Sequence, residues 1–157
     1  MEKQGELRES LKETDWAWLA GFIDGEGHIA IRRGYAENTN TTRRTRTSDS
    51  WTWYSARVSV HNTDIPSMEK ASAMMDGTLV KRKLQASNLR EMYTVEITAR
   101  SKVQALLRKI VPYMVTKRQM AQLLLDFADL PRGSGPLKQE MYERSVILSQ
   151  AGGRKAA

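Results

Sequence analysis

No cysteine occurs in the 157 residues, which removes disulfides, thiolate metal sites and cysteine nucleophiles together. Histidine is nearly as scarce. His28 and His61 are the two copies, and they show no zinc-ligand spacing. No apolar run approaches the roughly 20 residues that a membrane-spanning helix needs. Met1 to Asp15 is mixed in charge and carries no apolar stretch of the secretory kind, so an intracellular protein without a membrane partner is expected. A basic amphipathic helix for a membrane surface is not found either. The longest amphipathic stretch, from Thr116, has cations at Lys117 and Arg118 alone.

What is present points to a globular chain with a polyanionic partner. Apolar residues make up 40% and charged residues 27%, a balance that supports a packed core. The length predicts one domain over residues 1–157, with a core over about 12–130 and a C-terminal helix and tail over 131–157. The formal net charge is +7, and excess positive charge favours nucleic acid or an anionic surface. The cations are clustered. Between Ala30 and Arg57 stand Arg32, Arg33, Arg43, Arg44, Arg46 and Arg57, against Glu37 and Asp49. Tyr35, Trp51, Trp53 and Tyr54 are interleaved with them. Arginine with aromatics suits phosphate contact plus packing on bases or sugars; a solvated loop with two core tryptophans is the plainer alternative.

Periodicity predicts the order α-β-β-α-β-β-α with further C-terminal helices. Thr14 and Asp15 mark a helix start. Trp16 to Gly25 is apolar on nearly every side, so this short helix is expected to be buried all round. After Gly27, Ile29 and Ile31 alternate with Ala30 and Arg32, as in a half-buried strand. Gly34 to Asp49 reads as a long polar loop. From Trp53 to His61, Tyr54, Ala56, Val58 and Val60 alternate with Ser55, Arg57, Ser59 and His61. Asp64 caps a second helix with Pro66 in its first turn. A second hairpin spans Thr78 to Thr98. In its second strand Tyr93, Val95 and Ile97 face the core and Thr94, Glu96 and Thr98 face out. In its first strand either Lys81 and Lys83 or Arg82 point outward. Ser101 is expected to cap a third helix, Thr116 to Leu130 forms a fourth, and Leu137 to Gln150 a last.

The chemistry concentrates in Trp18-Leu19-Ala20-Gly21-Phe22-Ile23-Asp24-Gly25-Glu26-Gly27. Ala17, Gly21 and Gly25 recur every four residues, a spacing that lets two helix backbones approach closely. The helix ends in two acids, where its dipole disfavours them. Something must offset that, and a bound cation is the simplest candidate.

This stretch resembles the signature of the LAGLIDADG homing endonuclease family. Leu19, Ala20, Gly21, Ile23, Asp24 and Gly27 match its letters, while Phe22, Gly25 and Glu26 are substitutions common in it. Val58 to Asp64 resembles the end of the family's second strand, and Pro112 to Gln119 the segment that brings a basic residue to the active site. The resemblance implies an α/β (α+β) fold, αββαββα, with a saddle-like antiparallel DNA-binding sheet. With one motif it implies a homodimer that makes a double-strand break in a long pseudo-palindromic DNA site. The metal would be Mg²⁺, bound by Glu26 and the Gly25 carbonyl, with Ca²⁺ supporting binding without cleavage. Lys117 would stabilise charge on the phosphate or orient water, and Asn62 would position water. Ala17, Trp18, Ala20, Gly21 and Asp24 would line the dimer seam. The DNA surface would comprise Ala30, Arg32, Arg43, Arg44, Arg46, Ser55, Arg57, Ser59, Lys81, Arg82 and Lys83. Against these roles stand plainer readings: Lys117 as a surface lysine, Asn62 as a turn residue, and His28 and His61 as structural or DNA-facing. Two rival functions share the fold, namely an RNA-binding maturase acting on host intron RNA and a non-catalytic DNA-binding regulator. Retention of Glu26 and Lys117 disfavours the first. The lack of an added helix-turn-helix disfavours the second.

Overall fold

The computed structural model describes residues 10–38, 49–82 and 91–153. The elements run α1 (Glu13–Glu26), β1 (Gly27–Asn38), β2 (Asp49–Asn62), α2 (Ile65–Met75), β3 (Thr78–Arg82), β4 (Met92–Ile97), α3 (Arg100–Ile110), a 3-10 turn (Val111–Tyr113), α4 (Arg118–Asp129) and α5 (Gly135–Gly153). The predicted order is therefore the observed one. The four strands form one antiparallel sheet in the order β1-β2-β4-β3.

The apolar faces read from the alternation of β1, β2 and β4 hold, although Ser59 and Thr94 on the opposite face are buried as well. Ile29, Ile31, Ala56, Val58, Val60, Val95 and Ile97 are buried. They pack with Leu19 and Ile23 of α1, Met68 and Met75 of α2, Leu107 and Ile110 of α3, and Leu124 and Phe127 of α4. Each such side chain contributes about 1.5–3 kcal/mol through removal from water. The register puts His28, Ala30 and Arg32 of β1, Ser55, Arg57, Ser59 and His61 of β2, Thr94 and Glu96 of β4, and Val80 and Arg82 of β3 on the opposite face.

Several boundaries differ from expectation. α1 starts at Glu13, with Lys12 rather than Thr14 at its cap; Asp15 accepts a hydrogen bond from the Lys12 backbone N–H at 3.1 Å. α3 starts at Arg100 after Ala99, so Ser101 lies inside the helix. β1 continues to Asn38 and β2 begins at Asp49, so both ends of the polar stretch predicted as loop are strand; residues 39–48 lie outside the described residues. The cross-strand ladder, from Arg33 opposite Tyr54 to Asn38 opposite Asp49, overrides its low strand propensity. The Asp64 cap holds as predicted, accepting from Ser67 N–H at 3.0 Å. α2 ends at Asp76 in the left-handed region, φ 55°, a conformation Asp tolerates better than most residues.

Gly27 and Gly34 are among the glycines whose lack of a side chain the packing requires. A side chain on Gly27, where α1 turns into β1, would sit 2.6 Å from the Ile23 carbonyl oxygen. On β1, Gly34 lies under the Trp53 indole, and a Cβ there would come within 2.1 Å of the ring. Gly34→Ala is expected to displace Trp53 and to cost about 1–3 kcal/mol. A drop in urea midpoint with a shifted tryptophan emission is the signature; unchanged emission would contradict the packing.

Candidate functional site

The end of α1 is built by two reciprocal contacts with the segment that opens α4. The Asp24 carboxylate accepts from the backbone N–H groups of Val115 at 2.7 Å, Thr116 at 3.2 Å and Lys117 at 2.9 Å. It thus satisfies amides at the positive end of α4. In return the Lys117 ammonium donates to the carbonyls of Ile23 at 3.0 Å and Asp24 at 2.5 Å. The Ile23 carbonyl also accepts from the backbone N–H of Gly27 at the end of α1, so Lys117 adds a bond there, at a helix end where the last carbonyls otherwise run short of helical partners. The sequence reading sought a bound cation to offset the acids at this helix end; Lys117 supplies at least part of that compensation. Lys117 is half-buried, and desolvation lowers its pKa from the ordinary lysine value, while Asp24 and Glu26 act to raise it.

Asp24 is expected to cap or hydrogen-bond at a dimer seam; in the protomer its carboxylate caps the segment Val115 to Lys117 of its own chain. Glu26, two residues on, is exposed, and electrostatically couples to Lys117. The two acids of the motif thus separate into a structural one and an available one. Among the described residues no group of three or more His, Asp or Glu could hold a metal ion. A single chain therefore offers a hard cation only a partial set of oxygen donors here. The Glu26 carboxylate and backbone carbonyls at the end of α1 are the right chemistry for Mg²⁺ and are too few to complete its shell.

The α1 expectation is met only in part. Leu19, Ala20 and Ile23 are buried, while Ala17, Gly21 and Gly25 are exposed. A Cβ at Gly21 or Gly25 would meet nothing within 4 Å. The small-residue stripe therefore faces away from the protomer core. Ala20, expected on the seam, is at 0% exposure inside the protomer and does not belong to that stripe. Trp18 is half-buried, stacked on Phe22 at 5.2 Å with the Lys70 ammonium 4.5 Å from its ring.

The sheet face opposite the core carries the expected polar set with three changes. Ala30 pairs with Arg57, and Arg32 with Ser55, on that face. Ser59, expected to be available there, is fully buried; its Oγ lies 3.4 Å from His61 Nε2, and His61 Nδ1 lies 2.9 Å from Thr94 Oγ1. The phase of β3 is settled by its register: Val80 opposite Thr94 puts Arg82 on this face, and Lys81 opposite Tyr93 on the other. Lys81 instead pairs with Glu91 at 2.6 Å. Arg57 is not free: its Nη2 lies 2.6 Å from Glu96 Oε2. Burial, then neighbouring cations, lower the pKa of both His28 and His61. Asn62 closes β2, its Oδ1 accepting from Asp64 N–H at 2.9 Å. Arg43, Arg44, Arg46 and Lys83 lie outside the described residues.

Sequence reasoning placed Glu96 outward but gave it no role, and it missed the reach of Asp24 to residues about ninety positions away. Neither is signalled locally. Trp51 and Trp53, noted only as part of the arginine cluster, are half-exposed at 50% and 41%; strand parity with Ser55 and Arg57 puts both on the polar face.

This geometry predicts that Asp24→Ala strands three amides and lowers stability by about 2 kcal/mol, with Lys117 losing its anchor. Chemical denaturation checks it; a change under about 0.5 kcal/mol, the range of an ordinary surface substitution, would contradict the reciprocal cap.

Comparison with known proteins bears on the family and the fold. The model of the LAGLIDADG endonuclease family matches residues 19–130. No curated protein matches the sequence. Among solved structures, the homing endonuclease I-CvuI, in complex with the I-CreI target in the presence of Mg with the DNA not cleaved, is similar with a TM-score of 0.65. Identity is 22%, over 87% of this chain and 82% of that one. The archaeal intron-encoded homing endonuclease I-Vdi141I, complexed with DNA, is similar with a TM-score of 0.60 and 14% identity, over 90% of this chain and 84% of that one. The I-SmaMI LAGLIDADG homing endonuclease, bound to cleaved DNA, is similar with a TM-score of 0.53 and 21% identity, over 88% of this chain but 43% of that one. These likenesses are of fold. The family match spans most of the chain and includes the helix end held by Asp24 and Lys117, and this chain belongs to the LAGLIDADG endonuclease family.

Proposed function

We propose that the chain is a site-specific homing endonuclease that acts as a homodimer and makes a double-strand break in a long pseudo-palindromic DNA site, by divalent-metal-dependent phosphodiester hydrolysis. The observation that carries this is the exposed stripe of Ala17, Gly21 and Gly25, which leads directly to the exposed Glu26 beside Lys117. An apolar helix face left open in the protomer calls for a partner, and small residues at this spacing favour a second helix of the same kind. Pairing two copies of α1 about a two-fold axis brings two Glu26 carboxylates together. Like charges so close need a cation. Two incomplete donor sets together with DNA phosphates then approach a full shell of oxygen ligands. The relatives solved with DNA in Mg or Ca support both the substrate and the divalent ion. The near-full coverage of I-CvuI, against under half of I-SmaMI, supports one motif per chain.

Bound there, Mg²⁺ supplies Lewis-acid polarisation of the phosphoryl oxygen and a water of lowered pKa. The chain's own groups do the rest. Glu26 and the Gly25 carbonyl would hold the ion at the cleavage centre. Lys117 has three ammonium donors, of which two are used on the Ile23 and Asp24 carbonyls. The third faces the substrate, where it stabilises charge on the phosphate and holds a proton for the leaving oxygen. Asn62 spends its carbonyl on the turn at Asp64 and orients water with its amide N–H groups. Ala30, Arg32, Ser55, Arg57 and Arg82 form the groove-facing surface. A two-stranded ribbon of this size fits the major groove.

Two variants test the reading. Gly21→Leu fits the isolated protomer, where nothing lies within 4 Å. It is expected to yield a folded monomer by sedimentation that no longer cuts; a dimer of unchanged affinity would sink the helix seam. Glu26→Gln is expected to keep DNA binding in Ca²⁺ and to lose cleavage in Mg²⁺ by more than about 100-fold, since even weaker supporting contacts of a metal site cost about 10–100-fold. Selection from a randomised duplex library supplies the target. Capture of structured RNA with no duplex selected would overturn the proposal.

A further inference from the structure

Glu96 poses a problem for a DNA-binding sheet. Among the described side chains of the four strands it is the only acid, and the register puts it on the polar face, in line with Ser59 and His28. Set against phosphates, a carboxylate there would repel its ligand. Against base edges it would not, because two bases present N–H donors in the major groove. Its strand position favours the second setting. β4 is flanked on both sides by β2 and β3, so Glu96 stands within the sheet and not at its rim. Contacts to phosphate and sugar position a protein on the duplex, and side chains that reach base edges in the groove read its sequence.

The neighbouring group sharpens this. Arg57 on β2 holds Glu96 at 2.6 Å, and the two side chains keep 21% and 32% of their surface exposed. Glu96 takes Arg57 Nη2 and Arg57 Nε is buried, so the donors this guanidinium can offer a base are the remaining N–H groups of its terminal nitrogens. A guanidinium carries five N–H donors. The result is an acceptor and a donor fork fixed side by side on adjacent strands. In the major groove a C·G pair shows the cytosine N4 donor, then the guanine O6 and N7 acceptors. A carboxylate beside an arginine is complementary to that row. A T·A pair puts the thymine O4 acceptor where cytosine offers its N4 donor, and the adenine N6 donor where guanine offers O6, so it satisfies the pair less well.

We propose that Glu96 is a specificity-determining residue: it accepts from cytosine N4 while restraining Arg57 to read the guanine of the same base pair, so that each half-site contains one C·G pair fixed by Arg57 and Glu96. This inference rests on the DNA-binding reading above and adds the base that one part of the sheet selects. Arg57 alone would give guanine preference; the acid alongside gives the pair its orientation.

The test is selection of bound duplexes from a randomised library in Ca²⁺, with wild type and Glu96→Gln run in parallel. Wild type is expected to enrich C·G at one symmetric pair of positions. Glutamine matches adenine N6 and N7 in place of cytosine N4. Glu96→Gln is therefore expected to lose at least about tenfold in cytosine preference at those positions and to gain adenine there, with the rest of the site unchanged. An unchanged profile would overturn the inference. So would a guanine preference weakened at many positions with no gain of adenine, which marks Glu96 as a positioning residue for Arg57 alone. A melting curve for Glu96→Gln within a few degrees of wild type shows that the fold is intact; a Glu96→Asp variant, which keeps the charge, is expected to retain C·G and to replace Gln should the latter unfold. Wild-type protein that enriches no duplex would end the DNA-binding reading itself, and this inference with it.

Discussion

The reciprocal cap between α1 and the start of α4 organises the rest of the molecule. One carboxylate, Asp24, satisfies three amides at the opening of α4, and one ammonium, Lys117, satisfies two carbonyls at the close of α1. Helix ends carry groups that cannot all bond within their own helix, and here each end is contacted by a residue from the other, with the Ile23 carbonyl accepting from Gly27 N–H as well. Charge and dipole agree at both ends: an anion over amides and a cation over carbonyls. The arrangement locks the end of α1 to a segment about ninety residues away. It also decides which acid of the motif is spent on structure and which remains available, because Asp24 faces its own chain and leaves Glu26 to solvent.

A second consequence concerns the outer surface of α1. With Asp24 drawn inward and Leu19, Ala20 and Ile23 in the core, the stripe of Ala17, Gly21 and Gly25 is left outside. The same anchor therefore fixes the rotation of the helix about its axis. The start of α1 is held independently, by Lys70 at 3.0 Å from Asp15 and by Tyr113 donating to Glu13 at 2.9 Å. A helix pinned at both ends presents its open face at a defined angle, as a two-fold contact requires.

The sheet shows the complementary case, in which polar groups are engaged with one another rather than left free. Ser59, His61 and Thr94 form a chain across β2 and β4, and Arg57 is held by Glu96. Buried polar groups must find partners within the protein or carry a desolvation penalty. Ser59 is thereby out of reach; desolvation, then the charges of Arg82 and Arg57, lowers the pKa of His61, so the imidazole remains neutral to lower pH than a free one. Arg32 and Arg82 stay exposed, which leaves them available to a polyanion, while Arg57 is the oriented member of the set.

Local patterns were readable because they arise from local geometry. Two-residue alternation marked the buried faces of β1, β2 and β4, and the Asp64 cap with Pro66 marked α2, since each is a property of a few adjacent residues. The stretch from Leu19 to Gly27 carried both the family and the small-residue stripe. Three-dimensional packing decided the rest. The sequence alone could not show that Asp24 reaches Val115 to Lys117, that Ala20 lies in the core while Gly21 does not, or that Lys81 and Arg82 part to opposite faces. Nor could it show that Arg57 meets Glu96. All four depend on contacts between elements distant along the chain, and periodicity fixes a side chain's face without naming the group waiting on it.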